Sequence, residues 1–324
     1  MKVAKPMVMA LLFLGGVVCG SGSEKKVGPT IDIHMHAQRL SKPGSTLCPF
    51  ATDPLAGAAL FGTETTGPCP NLLIAPRTEA ELRQKALQAM DKNGVEKAVI
   101  SALSLGRVQE WQAAAPGRFI AGLSDFGQLS VEQVRDLFLS GKVGVLGELG
   151  PQYAGKSLAD PSYEPYLALA EKLDVPVVVH MGFGFAGGRP DSYPKFRAAL
   201  GDPLLLEEVL VRHPRLRLCV AHAGWPMLDS MLNVLFNYRQ VYVDISGIDW
   251  GIPRKEFYFY LQRIVQAGFG KRVLYGSDMM CWPEVIDLSL RAIDGADFLT
   301  DEQKRDIFYN NAVRFLKLDK GLQK

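Results

Sequence analysis

Residues 30–36, TIDIHMH, alternate Ile31, Ile33 and Met35 with Asp32, His34 and His36. A period of two is that of a β-strand with one apolar and one polar face. Water alone would not select two imidazoles and a carboxylate for that face. A metal would, because histidine and carboxylate donors suit first-row transition ions. The chain has five histidines, and four of them close apolar runs of strand length: His34 and His36, then His180 in VVVHMG and His222 in CVAHAG. Two carboxylates fall in equivalent places, Glu148 in VLGELG and Asp278 in LYGSD. A metal held by three or four such groups, with one position open, lowers the pKa of bound water toward ~7. Asp278 is then the expected base. His222 is expected to be either a ligand of a second ion or an acid that polarises a carbonyl. General acid–base help of this kind contributes roughly 10²–10⁴-fold.

These side chains converge only if their strands are neighbours. Strand-like segments at 30–38, 95–103, 118–126, 142–150, 175–182, 216–224, 240–247 and 271–279 alternate with helix-like ones, such as 78–94 opened by Thr78 and closed by Gly94. Eight such alternations predict one α/β domain, a (β/α)8 barrel. A doubly wound open sheet is the runner-up, but it usually carries a Gly-rich phosphate loop after its first strand, where this chain has His-Met-His. Barrel active sites lie at the C-terminal strand ends, where these six residues fall. Strand parity predicts an inward direction: Leu146 with Glu148, Val178 with His180, Val220 with His222, Gly276 with Asp278. Asp32, one step below His34, is expected to support it from behind. His213, in VRHPRL, is expected to end a helix and to complement its dipole.

The 324 residues, 48% hydrophobic and 22% charged, suffice for one large core. A net charge of +2 without a run of Lys or Arg argues against a nucleic-acid reader. Residues 1–22 read as a signal peptide: basic MKVAK, apolar PMVMALLFLGGVV too short to span a bilayer, then small residues. The expected mature chain is exported, periplasmic or secreted, with no other membrane segment. Residues 23–324 form the barrel domain, with a long loop insertion at 37–77. Cys48 and Cys69 both lie in that loop, where an exported protein can keep a disulfide. Cys219 is expected in the core and Cys281 near the site's rim. Arg39, Arg189 and Arg197, in or beside the loops after strands one and five, are candidates to clamp an anionic substrate group. Trp225, Trp250 and Trp282, just past strands six to eight, are candidates to wall an aromatic substrate. Solvated loop charge and rim packing are the plain alternatives.

Taken together, the His-x-His pair, VVVHMG, VAHAGWP, VYVDISG and LYGSDMMCWP resemble the amidohydrolase superfamily over about residues 30–318. Within it they look like the group containing aminocarboxymuconate-semialdehyde decarboxylase and lactone hydrolases. The resemblance implies one or two divalent metals, usually zinc. By motif, His34 and His36 match the first-strand ligands, His180 the fifth-strand ligand, His222 the sixth-strand histidine and Asp278 the eighth-strand aspartate. GELG departs from the decarboxylase-like pattern and resembles the strand-four glutamate of the two-metal deoxyribonuclease-like branch. If Glu148 bridges, it separates a site of His34, His36 and Asp278 from one of His180 and His222. If it does not, His180 joins the first three around a single ion and His222 is left as acid or base. The AHAG and YGSD context favours the single ion. The expected activity is hydrolysis of an amide, lactone or ester of a small molecule. Non-oxidative decarboxylation of a small carboxylic acid is the alternative. A non-catalytic metal-binding protein would need every coordination position blocked. Homo-oligomerisation is compatible with all three.

Overall fold

The structure, a computed structural model, describes residues 28–40, 43–50, 69, 71–127, 129–184 and 193–318. Eight parallel strands pair in chain order: β1 (Thr30–His36), β2 (Val95–Ser101), β3 (Phe119–Leu123), β4 (Val145–Leu149), β5 (Val177–His180), β6 (Leu218–Ala221), β7 (Val241–Asp244) and β8 (Val273–Leu274). The chain past β8 returns to β1. Asp278 N donates to His34 O (2.8 Å), His36 N to Met279 O (2.9 Å), and Ile33 N to Tyr275 O (3.0 Å). Those bonds bring the ring round to closure and carry Asp278 to the side of His34. Regular β8 spans only two residues, because this return replaces a longer ladder.

Helices cross the outside between strands. Some begin where a local side chain supplies the missing acceptor. The Thr78 hydroxyl accepts from Glu81 N ahead of α1 (Glu79–Lys92), as expected. Ser130 and Gln133 form a reciprocal capping box on α3 (Val131–Leu139), which follows α2 (Leu105–Ala114). Next come α4 (Glu164–Leu173) and α5 (Glu207–Arg212), then α6 (Leu228–Asn237), α7 (Arg254–Ile264) and α8 (Val285–Asp294). The α6 helix starts at Leu228, two residues beyond Pro226. Among the described residues no helix is long and apolar enough to cross a membrane.

Apolar side chains pack in two layers. One lies between strands and helices and includes Met35, Leu146, Val179 and Val220. The other fills the barrel with Ile31, Ile33, Val99, Val145, Val178, Cys219, Ala221 and Leu274, over Ala312 and Phe315 from the last helix. The inner layer corrects the parity argument at three strands. On β1 it holds Ile31 and Ile33 but not Met35, across a register shift between Asp32 and Met35. Val145, not Leu146, points inward, and Glu148 is turned in by a register shift between Leu146 and Leu149, with Gly147 at φ +139°. Cys219 and Ala221, not Val220, point inward, and His222 enters the site from a turn with φ +56°. The His180 and Asp278 parity assignments agree with the packing, since Val178 and Leu274 lie in the inner layer.

The loop after β1 is tied down. Thr46–Leu47 pair antiparallel with Leu73–Ile74, and Cys48 is bonded to Cys69. Trp282 Nε1 donates to Ser45 O (3.0 Å) and Phe50 N to Trp250 O (2.8 Å).

Candidate metal centre

The end of β1 supplies His34 and His36, whose Nε2 atoms lie 3.1 Å apart. Asp278 Oδ1 lies 3.1 Å from His36 Nε2 and 3.8 Å from His34 Nε2. Glu148 Oε2 lies 3.1 Å from His34 Nε2 and 3.5 Å from His36 Nε2. Donors about 2.0–2.2 Å from one tetrahedral ion stand roughly 3.3–3.5 Å from each other. These five separations, 3.1–3.8 Å, bracket that spacing. A second group begins on the other side of the same carboxylate. Glu148 Oε1 lies 2.7 Å from His180 Nδ1 and 3.4 Å from His222 Nε2, and those nitrogens are 3.0 Å apart. His180 therefore sits with His222 and Glu148, not in a set with His34, His36 and Asp278, which departs from the single-ion arrangement.

The outer nitrogen of each ring fixes what the inner one offers. Ser246 Oγ donates to Asp244 Oδ1 (2.5 Å), so its oxygen accepts from His34 Nδ1 (2.8 Å); Asp244 Oδ2 lies 3.1 Å from the same nitrogen. His222 Nδ1 donates to Ser246 O (2.8 Å) and His180 Nε2 to Phe183 O (2.9 Å). His36 Nδ1 meets Ser101 Oγ at 3.4 Å. With the protons held outside, lone pairs face lone pairs within. Nitrogens 3.0–3.1 Å apart in that state repel unless a cation lies between them. The donor set thus fits a divalent metal: it carries two carboxylates to four imidazoles, with the Asp244 carboxylate behind them.

Protonation answers the same demand when no metal is bound. Burial pushes the His34 pKa down, but the Glu148 and Asp244 carboxylates outweigh it and hold it well above the usual histidine value. His222 is raised too: burial opposes, while the Glu148 hydrogen bond and the Asp278 charge prevail. Burial favours protonated Glu148, yet His34 and His180 hold it well below the ordinary carboxylate range. Asp244 and Asp278 are lowered against burial as well, chiefly by His34 and by the His36 hydrogen bond respectively. The carboxylates stay ionised, and positive charge is drawn in.

All six expected site residues, His34, His36, Glu148, His180, His222 and Asp278, meet at this mouth. Others fall elsewhere. Trp250 (3% exposed) and Trp282 (2%) offer almost no ring face to a ligand, and their indole N–H groups are bonded to Ser277 O and Ser45 O. They pack the loops onto the barrel. Trp225 is half-buried, against Phe183, which itself lies against His222 (ring centroids 5.8 and 5.0 Å). Arg39 and Arg197 are exposed, and Arg197 Nη1 donates to the Pro194 and Phe196 carbonyls. Arg189 lies outside the described residues, as does the signal segment. Asp32 accepts from the backbone N–H groups of His34 and Ser277, so it holds the His34 main chain and not its ring.

The residue that holds the ring is Asp244, absent from the sequence expectations. It also accepts from His222 N (3.1 Å) and Ser246 N (3.0 Å), so one carboxylate at the end of β7 braces both donor groups. Its signal in the sequence is the apolar run VYVD, which closes on a carboxylate as β5 closes on His180. Gly247, at φ +71°, leaves room for them. A Cβ there would sit 2.9 Å from Asp278 Oδ2 and 3.2 Å from His222 Nδ1.

The amidohydrolase family profile matches residues 31–318. No curated protein shows significant similarity to the sequence. Solved structures do. A probable 2-pyrone-4,6-dicarboxylic acid hydrolase from Acinetobacter baumannii aligns with TM-score 0.59 at 15% identity, over 89% of this chain and 99% of its own. A 5-carboxyvanillate decarboxylase from Novosphingobium aromaticivorans, complexed with manganese and a nitrobenzoic acid, aligns with TM-score 0.56 at 15% identity, over 90% and 97%. An uncharacterised TIM-barrel protein from Bordetella bronchiseptica aligns with TM-score 0.57 at 17% identity, over 71% and 81%.

Proposed function

Because the chain belongs to the amidohydrolase family, we propose that its barrel mouth holds two divalent cations bridged by Glu148 and hydrolyses a lactone, ester or amide of a small molecule. One observation carries this reading. The two oxygens of Glu148 face different donor groups, Oε2 towards His34 and His36, Oε1 towards His180 and His222. His34, His36, Asp278 and Glu148 would hold the first ion, and His180, His222 and Glu148 the second. Zinc suits these nitrogen and oxygen donors, and manganese is the competing choice.

When bound, such ions polarise a carbonyl and lower the pKa of water toward ~7. The chain's own contribution is to hold and move a proton. Asp278 stays ionised, because the His36 hydrogen bond and the surrounding imidazoles outweigh burial. It therefore takes the attacking water's proton and returns it to the leaving oxygen or nitrogen. Asp244 and Ser246 keep the His34 and His222 lone pairs aimed inward throughout. With both histidines used as donors, His222 is a ligand and not a free acid.

Decarboxylation is the rival reading. It would be favoured by an arginine held opposite a single ion. Arg39 and Arg197 are both exposed, whereas the bridging position of Glu148 supports hydrolysis. We also read the chain as exported after removal of residues 1–22, which agrees with the Cys48–Cys69 disulfide, a bond that persists in oxidising compartments. Metal analysis followed by a panel of lactones, esters, amides and aromatic carboxylic acids tests the proposal. Two ions per chain and hydrolysis are expected. One ion per chain with release of carbon dioxide would replace this reading with the rival.

A further inference from the structure

We infer that Tyr153 is a positioning residue for the second ion, and that it sets how tightly the His180–His222–Glu148 group fills without affecting the other group. The inference rests on the two-ion reading. Tyr153 lies on the short turn Pro151–Ala154 that follows β4 directly, five positions after Glu148. Its hydroxyl is 3.1 Å from His180 Nε2, while Glu148 Oε1 is 2.7 Å from Nδ1 of the same ring. One segment thus grips the imidazole at both nitrogens. Phe183 O is purely an acceptor, so Nε2 carries the proton, and the phenol oxygen shares it. That arrangement leaves the Nδ1 lone pair facing His222 Nε2 and Glu148.

The four histidines are not braced alike. His34 is backed by a buried carboxylate, Asp244, and by Ser246. His222 is backed by the Ser246 carbonyl, with Asp244 on its main-chain N–H. These supports belong to the end of β7, inside the barrel. The supports of His180 are a carbonyl and a phenol on the loops after β5 and β4. Both are neutral, and both lie at the rim. The Tyr153 ring also packs against Tyr193 (centroids 4.8 Å) and Phe196 (5.4 Å). The second group also has three protein donors against four in the first. His36 too has only a neutral outer partner, Ser101 Oγ at 3.4 Å, but the group with fewer donors is the one that hangs on His180, and removing the Tyr153 hydroxyl should be felt there alone.

Outer partners of metal-binding histidines typically contribute about 10–100-fold in metal affinity. The test titrates Co²⁺ into full-length, chelator-stripped protein and reads heat and visible absorption together. Wild type is expected to take two equivalents in two steps. Tyr153→Phe should weaken the second step about 10-fold or more and change its absorption bands, with the first step unchanged. That intact first step also reports that the variant is folded. Phe196→Leu, which removes a packing neighbour but keeps the phenol, should leave both steps as in wild type. An unaltered second step in Tyr153→Phe, equal weakening of both steps, or the same loss in Phe196→Leu would overturn the role. Uptake of one equivalent by wild type would overturn the two-ion reading itself, and this inference with it.

Discussion

At the barrel mouth the inward nitrogens of four histidines face one another. At the opposite end, His213 follows α5 and has a carboxylate at each nitrogen, Glu171 Oε2 3.2 Å from Nδ1 and Glu164 Oε1 3.0 Å from Nε2. All but His36 are buried, and carboxylates are near in both places. What separates the two regions is where the second nitrogen points. His34 spends one nitrogen on Asp244 and Ser246 and turns the other towards a second imidazole that also lacks a proton. That pair is incomplete without a cation. His213 has a carboxylate of α4 at each nitrogen and no second imidazole opposite it. Burial and charged neighbours alone do not mark chemistry; an unshared, inward-facing pair of donors does.

The most severe way to break the comparison is to remove donors from the mouth. His34→Ala combined with His36→Ala should abolish binding of the first ion and lower kcat/KM on the order of 10⁴-fold or more, since activation of water and proton transfer fail together. Elemental analysis and kinetics on the purified variant check this. A double variant that keeps its full metal complement would end the assignment.

Proton linkage sharpens the contrast with a smaller effect. In stripped protein, His34 and His222 are held above the ordinary histidine value of 6.5. Stabilisation from a raised pKa is fully present below the unfolded value and is lost as pH rises through the folded one. Glu148, Asp244 and Asp278 are held low, so their contribution is present above the usual carboxylate range and lost as pH falls through the lowered values. Stripped protein should therefore lose stability from about pH 6.5 upward. Loaded protein should not, because deprotonated imidazole is the form that binds metal. The difference in Tm between the two should widen towards alkaline pH, by roughly 2–4 °C for each kcal/mol. Calorimetry on paired samples across that range checks it, and parallel curves would show that the cluster is not charged by protons when empty.

The barrel and the six mouth residues were legible because both rest on short-range sequence pattern. Apolar runs of strand length recur between helix signals, and polar residues that end such runs have few structural reasons to be histidine. Which way each side chain faces was less legible. Leu146 and Val220 face outward, and Glu148 and His222 reach the site through a register shift and a left-handed turn, neither of which period-two counting can show. Asp244 ends β7 as His180 ends β5, but a carboxylate in VYVDISG has many ordinary explanations, and its partners are 210 and 22 positions away. For Trp250 and Trp282 the two readings, substrate wall and rim packing, stayed open because the sequence does not show where an indole N–H finds its acceptor. Both find backbone carbonyls that bind the loops to the barrel. The Cys48–Cys69 pairing lay on the boundary of what spacing can tell, and the ribbon Thr46–Leu47 with Leu73–Ile74 shows why the ends of that loop meet.

The smallest expected effect lies at His213 and tests the other half of the comparison. His213→Ala removes two charge-assisted contacts between the end of α5 and α4. Neither carboxylate is left alone, however. Arg212 stays 3.1 Å from Glu164, and Arg215 N still donates to Glu171 Oε1 at 2.8 Å. Burial works against ionised Glu171, and the Arg215 backbone bond with the His213 hydrogen bond overcomes it, so its pKa should drift back up in the variant. Because no buried group loses its last partner, the loss should be near the low end for such bonds, about 1–2 kcal/mol. That corresponds to a fall in Tm of roughly 2–8 °C. Bound metal and kcat/KM should stay at wild-type values, because the contacts lie at the far end of the barrel from the mouth. Differential scanning calorimetry and metal analysis on one preparation give both numbers. If His213→Ala lost metal as well as stability, the two ends of the barrel would not be independent, and the direction of a histidine's second nitrogen would no longer separate ligand from brace.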